Sequence, residues 1–226
     1  MAKSKTDTNQ FDQDRRSLLT ALLDNVPFDG WTDRAVTAAT DQAGLERGFA
    51  YRAFPRGPLD AIIFFNQVAD AEMVASLQNQ DLDAMRIRDR IIQAIRNRLE
   101  QNASHRDAIR RGVTVLAFPA NAPVGLQCLY RTVDTIWRAA GDTSTDFNFY
   151  TKRTLLAGVY SSTLVYWLND NSDDFERTWS FLDRRIEDVL RVSKLTTSFK
   201  EATSRMPDPF AVRDFLRRTG LRTLFR

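Results

Sequence analysis

The chain has 226 residues, 43% of them hydrophobic and 11% aromatic, with a net charge of +3; that suits one domain with a substantial core. One cysteine, Cys128, and one histidine, His105, exclude an internal disulfide and a cysteine-based zinc site, and argue against a His-rich metal centre or a Ser–His triad. The charge is unevenly placed: residues 194–226 carry eight Lys/Arg and three Asp/Glu, a balance of +5, which leaves −2 for residues 1–193.

The N-terminal stretch MAKSKTDTNQFDQDRR has no apolar centre and carries acids, so it reads neither as a secretory signal nor as a clear transit peptide. A cytoplasmic protein is expected, with a mature organellar protein as the alternative. Residues 1–10 are expected to lie outside the fold. A first helix is predicted over Phe11–Asn25, with Leu18, Leu19, Leu22 and Leu23 on one stripe and Pro27 as its end. Thr32 suits the N-cap of a short helix with Val36, Ala39 and Ala43 inward, Gly44 supplies a turn, and Leu45–Phe54 forms the next helix. Pro55, Gly57 and Pro58 break the chain again.

Helices follow over Leu59–Gln78 and Asp81–Gln101. The stretch Arg86–Arg111 holds eight arginines against Asp89, Glu100 and Asp107; the simplest reading is a solvated helix face. Val113–Phe118 is readable as a buried strand, but the helical lead-in from His105 and the stop at Pro119 favour a helix end. Val124–Ala140 is a helix closed by Gly141. Two further helices are expected over Asn148–Asn169 and Ser172–Ser193. The uncharged run Thr154–Asn169 falls short of the roughly 20 residues of a membrane span. No P-loop, dinucleotide fingerprint, metal-ligand cluster or nucleophile–base pair is apparent, so neither a cofactor, a metal nor a catalytic residue is expected.

Residues Trp31–Phe54 resemble the helix-turn-helix head of TetR-type repressors: a capped helix, AATDQAG with its turn glycine, a second helix, then FPRGPLD into a long helix. The expected fold is therefore all-α and TetR-like, with a degenerate N-terminal helix-turn-helix and a C-terminal amphipathic helix. Across Phe28–Asp60 four arginines face five acids, a balance of −1, which argues against DNA as a partner because phosphate neutralisation underlies that binding. A TetR-type regulator acting through residues 31–54 is the competing reading.

The segment from Gly141 to Ile186 contains STDFNFYTKR, LAGVY and DFERTWSFLDRRI. These motifs resemble the hallmark region of the ubiquinone-biosynthesis accessory family known as coenzyme Q biosynthesis protein nine, and the likeness extends from about Asp29 to Lys194. The resemblance implies a non-catalytic lipid-binding accessory protein, a homodimer, that presents an isoprenoid quinone precursor to the di-iron demethoxyubiquinone hydroxylase at a membrane. A phospholipid is the other ligand it allows. It implies a partner-docking face at Asp146, Phe149 and Arg153, with Ile136 beside it; the family usually has Trp where this chain has Phe149, so ring packing carries over and an indole N–H contact does not. Asp146 also suits a helix N-cap, and Arg153 an ion pair with Asp146, Asp142 or Glu176.

Trp137, Tyr160, Tyr166, Trp167, Trp179 and Phe181 form a dense aromatic set on successive helices. Such rings serve either as core or as the wall of a lipid cavity; for the second role the candidates are Trp137, Leu156, Tyr160, Leu164, Trp179, Phe181 and Leu182. The expected organisation is a helical domain over 11–194, with its helix-turn-helix-like part at 28–60 and its lipid- and partner-binding part at 82–194. A polar linker over 195–207 and an amphipathic helix over 208–226 follow. In that last helix Val212, Phe215 and Leu216 take the apolar side and Arg213, Arg217 and Arg218 the polar one, the pattern of reversible contact with a membrane surface; packing on the domain is the alternative. The expected location is the inner face of a bacterial membrane, or the mitochondrial matrix side.

Overall fold

The computed structural model describes residues 2–82, 84–142 and 147–204, and among these all regular structure is helical. In chain order the helices are α1 Ala2–Asp29, α2 Asp33–Gln42, α3 Arg47–Ala53, α4 Pro58–Gln78, α5 Ile87–Glu100, α6 Arg106–Ala117, α7 Ala122–Ala139, α8 Phe147–Asn169 and α9 Glu176–Ser204, with single 3₁₀ turns at Ala103–His105 and Asp173–Phe175. The chain divides into two units, Met1–Asp183 and Arg184–Arg226. In the second, the described side chains form exposed pairs along one helix, Arg185 with Asp188 at 2.9 Å and Arg191 with Glu187 at 3.5 Å. Pairs of that kind contribute a few tenths of a kcal/mol.

The first half of the larger unit follows its turn chemistry. The Thr32 hydroxyl accepts the Ala35 N–H at 3.2 Å and caps α2. Gly44 takes φ +66° between α2 and α3, a conformation glycine adopts at no steric cost. Leu18, Leu19, Leu22 and Leu23 of α1 are all buried, as their spacing predicts, against Ala35, Val36 and Ala39 of α2 and Phe49, Ala50 and Ala53 of α3. Trp31 joins this head to the body: its indole N–H donates to the Ala108 carbonyl of α6 at 2.9 Å.

Several boundaries differ from the sequence reading. The helix α1 starts at Ala2 instead of Phe11, and it passes through Pro27 to Asp29. A proline deprives a helix of one N–H. Here it sits in the last turn, which Gly30 closes at φ +70° by donating to the Val26 carbonyl at 2.9 Å, while the Pro27 carbonyl receives the Arg111 guanidinium at 2.8 Å. The run from Val113 is helical to Ala117, with the chain turning extended at Phe118. At the far end α9 continues to Ser204, through much of the stretch read as a linker.

The arginines of 86–111 are not a uniform solvated face. Arg98 is buried, and Arg90 reaches the Ala140 carbonyl at 3.2 Å. Arg106 donates to the carbonyls of Trp167 at 2.6 Å and Asp170 at 2.7 Å, and Arg110 donates to that of Leu168. Two arginines of α6 thus satisfy carbonyls that the end of α8 leaves without intrahelical partners, at the terminus where a helix favours positive charge.

Candidate functional site

Inside the larger unit lies a cavity of about 240 Å³. Its walls come from α4 (Ile62, Phe65, Asn66), α6, α7 and α8, with Trp31 at one side and Arg98 of α5. The space exists where side chains are small. At Gly125 an added Cβ would lie 3.1 Å from the Leu116 carbonyl oxygen, and at Gly112 one would lie 3.4 Å from the Trp31 indole nitrogen. Close approach of α6 to α7 favours the glycine at 125, while a Cβ at 112 would meet Trp31 at ordinary contact distance; with Ala108 and Ser161 the two glycines leave the interior short of filling atoms.

Most of the wall is apolar, and Asn66, Arg98 and Thr132 on it form one polar network with Asp70. Arg98 donates through Nε to Asp70 at 2.8 Å and through Nη2 to the Asn66 side-chain oxygen at 3.1 Å. The Thr132 hydroxyl donates to the same Asp70 carboxylate at 2.9 Å. Arg98 also lies 5.5 Å from the Tyr160 ring centre. Burial pushes the Tyr160 phenol and the Cys128 thiol above their ordinary values, so both remain neutral donors. Among the described residues no cluster of His, Cys, Asp and Glu is placed to hold a metal ion, and no described helix is long and apolar enough to cross a membrane.

A second constellation ties the end of α7 to the start of α8. Arg153 donates through Nε to Asp134 at 2.7 Å and through Nη1 to Asp142 at 3.3 Å, and its guanidinium lies 3.3 Å above the Phe149 ring. Phe149 in turn meets Tyr150 edge to face, with ring centres 5.2 Å apart. Lys152 pairs with Asp142 at 2.8 Å and sits 5.4 Å over the Trp137 ring. Beyond α8, Asp170 accepts from the N–H and hydroxyl of Ser172 at 2.9 and 2.7 Å and from those of Thr178 at 2.9 and 2.6 Å.

Residues 122–193, which make up α7, α8 and much of α9, match the COQ9 family model. The chain resembles the COQ9 proteins along most of its length. It is 32% identical over 205 residues to the rat protein "Ubiquinone biosynthesis protein COQ9, mitochondrial", covering 88% of this chain and 65% of that one. The human protein of the same name is 30% identical, with 88% and 64% covered. The fission yeast protein is 27% identical over 215 residues, with 95% and 84% covered. The chain thus spans just under two thirds of the rat and human COQ9 proteins. A solved TetR transcriptional regulator from Nitrosomonas europaea superposes with a TM-score of 0.63 at 17% identity, over 78% of this chain and 97% of that one, which shows the all-α TetR-like fold.

Of the residues singled out for a lipid cavity within the COQ9-matched segment, Tyr160 and Leu164 line it. Leu156 and Leu182 are buried in the core away from it. Trp137 is half-buried, its indole N–H donating to the Lys152 carbonyl at 3.2 Å. Trp179 donates to the Asp174 carbonyl at 2.8 Å and lies beneath Arg96 at 5.0 Å, and Phe181 stacks on Tyr166 with ring centres 4.6 Å apart. Large rings fill space, so the aromatic set marks packing and ring contacts more than it marks the void. The cavity residues outside the reading include Trp31, Phe65, Arg98, Gly112, Gly125 and Cys128. The usable signal for them was small residues on neighbouring helices.

At the expected docking face, Phe149 is half-buried, while Arg153 is 2% exposed and Ile136 is fully buried. Both of the latter sit inside the fold: Arg153 holds Phe149 from beneath, and Ile136 packs in the core. Of the expected ion-pair partners Asp142 is found, joined by Asp134. The exposed ring here is Tyr150, at 65%. Asp146 lies outside the described residues, as do Val212, Arg213, Phe215, Leu216, Arg217 and Arg218.

Burial alone would raise the Asp170 carboxyl, but the hydrogen bonds from Thr178 and Ser172 outweigh it and hold it down to about 2. A carboxyl lowered by folding adds stability above its unfolded value, near 3.9, and loses it as the pH falls toward the folded one. The stability of the native chain should therefore decline between about pH 4 and pH 2 by a step that Asp170→Ala lacks. Urea titrations of both proteins across that window check it.

Proposed function

We propose that this chain is a non-catalytic accessory protein of ubiquinone biosynthesis, a homodimer that holds an isoprenoid quinone precursor and presents it to the di-iron hydroxylase at a membrane surface. The observation that carries the reading is the 240 Å³ apolar cavity, two of whose walls, α7 and α8, lie in the segment matched by the COQ9 family. Proteins that bind small apolar molecules do so in concave, mostly apolar sites, with a few polar groups fixing orientation.

In this reading the hydroxylase docks on the Phe149–Tyr150 pair. A ring held from below by a buried, doubly paired arginine is rigid, and rigid aromatic groups are the usual anchors of an interface. The basic tail supplies the membrane contact through Val212, Phe215, Leu216 and the arginines at 213, 217 and 218, on the cytoplasmic face of a bacterial membrane or the matrix face of a mitochondrial one. A few partly buried apolar side chains and about 1 kcal/mol per basic residue near anionic lipid give reversible attachment.

A second reading, a DNA-binding regulator, is favoured by the TetR-like fold and its α2–Gly44–α3 head. Its electrostatics count against it. Arg47 pairs with Asp41 at 3.5 Å, Arg52 with Glu46 at 3.7 Å, Arg56 with Asp60 at 2.6 Å, and Arg34 with Asp29. Arginines already matched by carboxylates gain less from phosphates.

Tyr150→Ala and Phe149→Ala should each weaken capture of the hydroxylase. Tyr150→Ala should leave thermal stability within about 1 kcal/mol because its ring is exposed; undiminished capture by both variants contradicts the docking face. Anionic liposomes should retain the full chain, less so as salt rises, and should release a chain ending at 207. Electrophoretic shift on genomic fragments should yield no sequence-specific complex tighter than about 10⁻⁸ M, the range of true regulators.

A further inference from the structure

The hairpin made by α6 and α7 exposes large apolar groups. Its tip carries Phe118, which is 61% exposed, and Ala117, Pro119 and Ala120 beside it are exposed as well. On the outer side of α7, Leu126 and Tyr130 stand one turn apart and so on one face; they are 66% and 45% exposed. From Ala108 to Val133 the hairpin has no Asp or Glu and three arginines, Arg110, Arg111 and Arg131.

The tip is held by its own chemistry. The Asn121 side-chain amide donates to the Val115 carbonyl at 3.0 Å, and the Asn121 backbone N–H donates to that of Phe118 at 2.8 Å. Pro123 lies in the first turn of α7, and Gly125 lets that helix pass close to the Leu116 carbonyl. The closed turn fixes the backbone at Phe118 and leaves its ring in water. A ring kept there adds nothing to the stability of the fold, and contiguous exposed apolar groups of this kind mark a binding surface.

Charge selects what binds. Arg110 and Arg111 are exposed, and their hydrogen bonds go to uncharged oxygens: the Leu168 carbonyl and the Asn169 side chain for Arg110, the Pro27 carbonyl for Arg111. Arg131 is exposed beside Tyr130. In the head, by contrast, Arg47, Arg52 and Arg56 pair with carboxylates. A hairpin with arginines, no acids and an apolar tip fits an anionic lipid surface, which attracts the first, repels the second and solvates the third. Depth agrees. Arg111 stands seven residues before Phe118, roughly 10 Å at the helical rise, and interfacial segments bury their apolar groups about 5–10 Å below the headgroup boundary. With Phe118 among acyl chains, Arg111 lies at the level of the phosphates. Tyr130 lies in the zone where one end of a side chain is dry and the other wet.

We propose that the α6–α7 tip is a second membrane contact, with Phe118 and Leu126 entering the acyl region of an anionic bilayer and Arg110, Arg111 and Arg131 on its phosphates. The assignment rests on the membrane-surface role proposed above and goes beyond the basic tail given there. One tip with a few large apolar side chains gives only weak, reversible attachment. The tail therefore supplies most of the retention, and the tip sets how the larger unit meets the bilayer. Leu116 and Ala117 also belong to the cavity wall, so a seated tip brings that wall to the lipid.

The test uses the full chain carrying Phe118→Cys, labelled with a maleimide dye whose emission moves to the blue in an apolar environment, on vesicles of phosphatidylcholine and phosphatidylglycerol. Cys128 is 8% exposed, and the native chain serves as the labelling blank. The label at 118 should move to the blue on the vesicles and be quenched by lipids bearing a nitroxide on the acyl chain. The same label at Tyr51→Cys, a position 80% exposed on the head, should do neither. Phe118→Ser combined with Leu126→Ser, both at exposed positions, should weaken vesicle binding about fivefold and leave the melting temperature unchanged. A label at 118 that stays in water while the vesicles hold the chain overturns the proposal and leaves the tail contact standing. A label shielded by the hydroxylase and not by vesicles makes the tip a protein interface and overturns the proposal equally. Vesicles that fail to hold the native chain overturn the membrane role itself, and the tip with it.

Discussion

Arg98 and Asp70 meet at 2.8 Å in the interior of the larger unit, and four helices are organised around that pair. Asp70 belongs to α4 and Arg98 to α5; Thr132 of α7 donates to the carboxylate, and the Tyr160 ring of α8 lies 5.5 Å from the guanidinium. A charge buried to this extent is tolerable only while its partner is present, and loss of one member typically costs about 3–5 kcal/mol. A hydrophobic pair of the same volume would stabilise the core as well, so stability alone gives no reason for these residues. The place of Arg98 and Thr132 on the cavity wall does.

Around this centre the fold relies on arginines where a helical body more often relies on apolar contact. Arg106 and Arg110 hold the end of α8, and Arg153 holds its beginning by reaching Asp134 and Asp142. The helix that carries Tyr160, Leu164 and Val165 is thereby fixed at both termini by charge-assisted hydrogen bonds, while its middle faces the void. Asp170 continues the arrangement into α9 through four bonds to Ser172 and Thr178. A fixed frame around an unfilled middle is what a pre-formed ligand site requires, since little ordering remains to be done on binding.

Local chemistry was legible in the sequence, and long-range geometry was not. Thr32, Gly44, Gly141 and Pro119 announced their turns because capping and left-handed conformations depend on the residue itself. The leucines of α1 announced their burial through spacing. Arg98 could not be separated from the exposed arginines beside it, because its partner stands 28 positions away and helical spacing alone carries no sign of it. The cavity escaped for a related reason: it is defined by missing atoms at Ala108, Gly112 and Gly125, whose meaning depends on Trp31 and Leu116 approaching them. Dense aromatics drew attention to Trp179 and Phe181, which turned out to stack on Arg96 and Tyr166. The closeness of Phe149 and Arg153 was legible in their spacing, and the burial of Arg153 beneath the ring was not.

The central claim is that the cavity holds a neutral isoprenoid ring compound and that the chain serves by carrying it. Native mass spectrometry of the full chain, purified without detergent and followed by solvent extraction of what it releases, tests this directly. The account predicts a non-covalent adduct that extracts as an uncharged isoprenoid quinone or phenol. A chain recovered empty, or one carrying only anionic phospholipid, would contradict it.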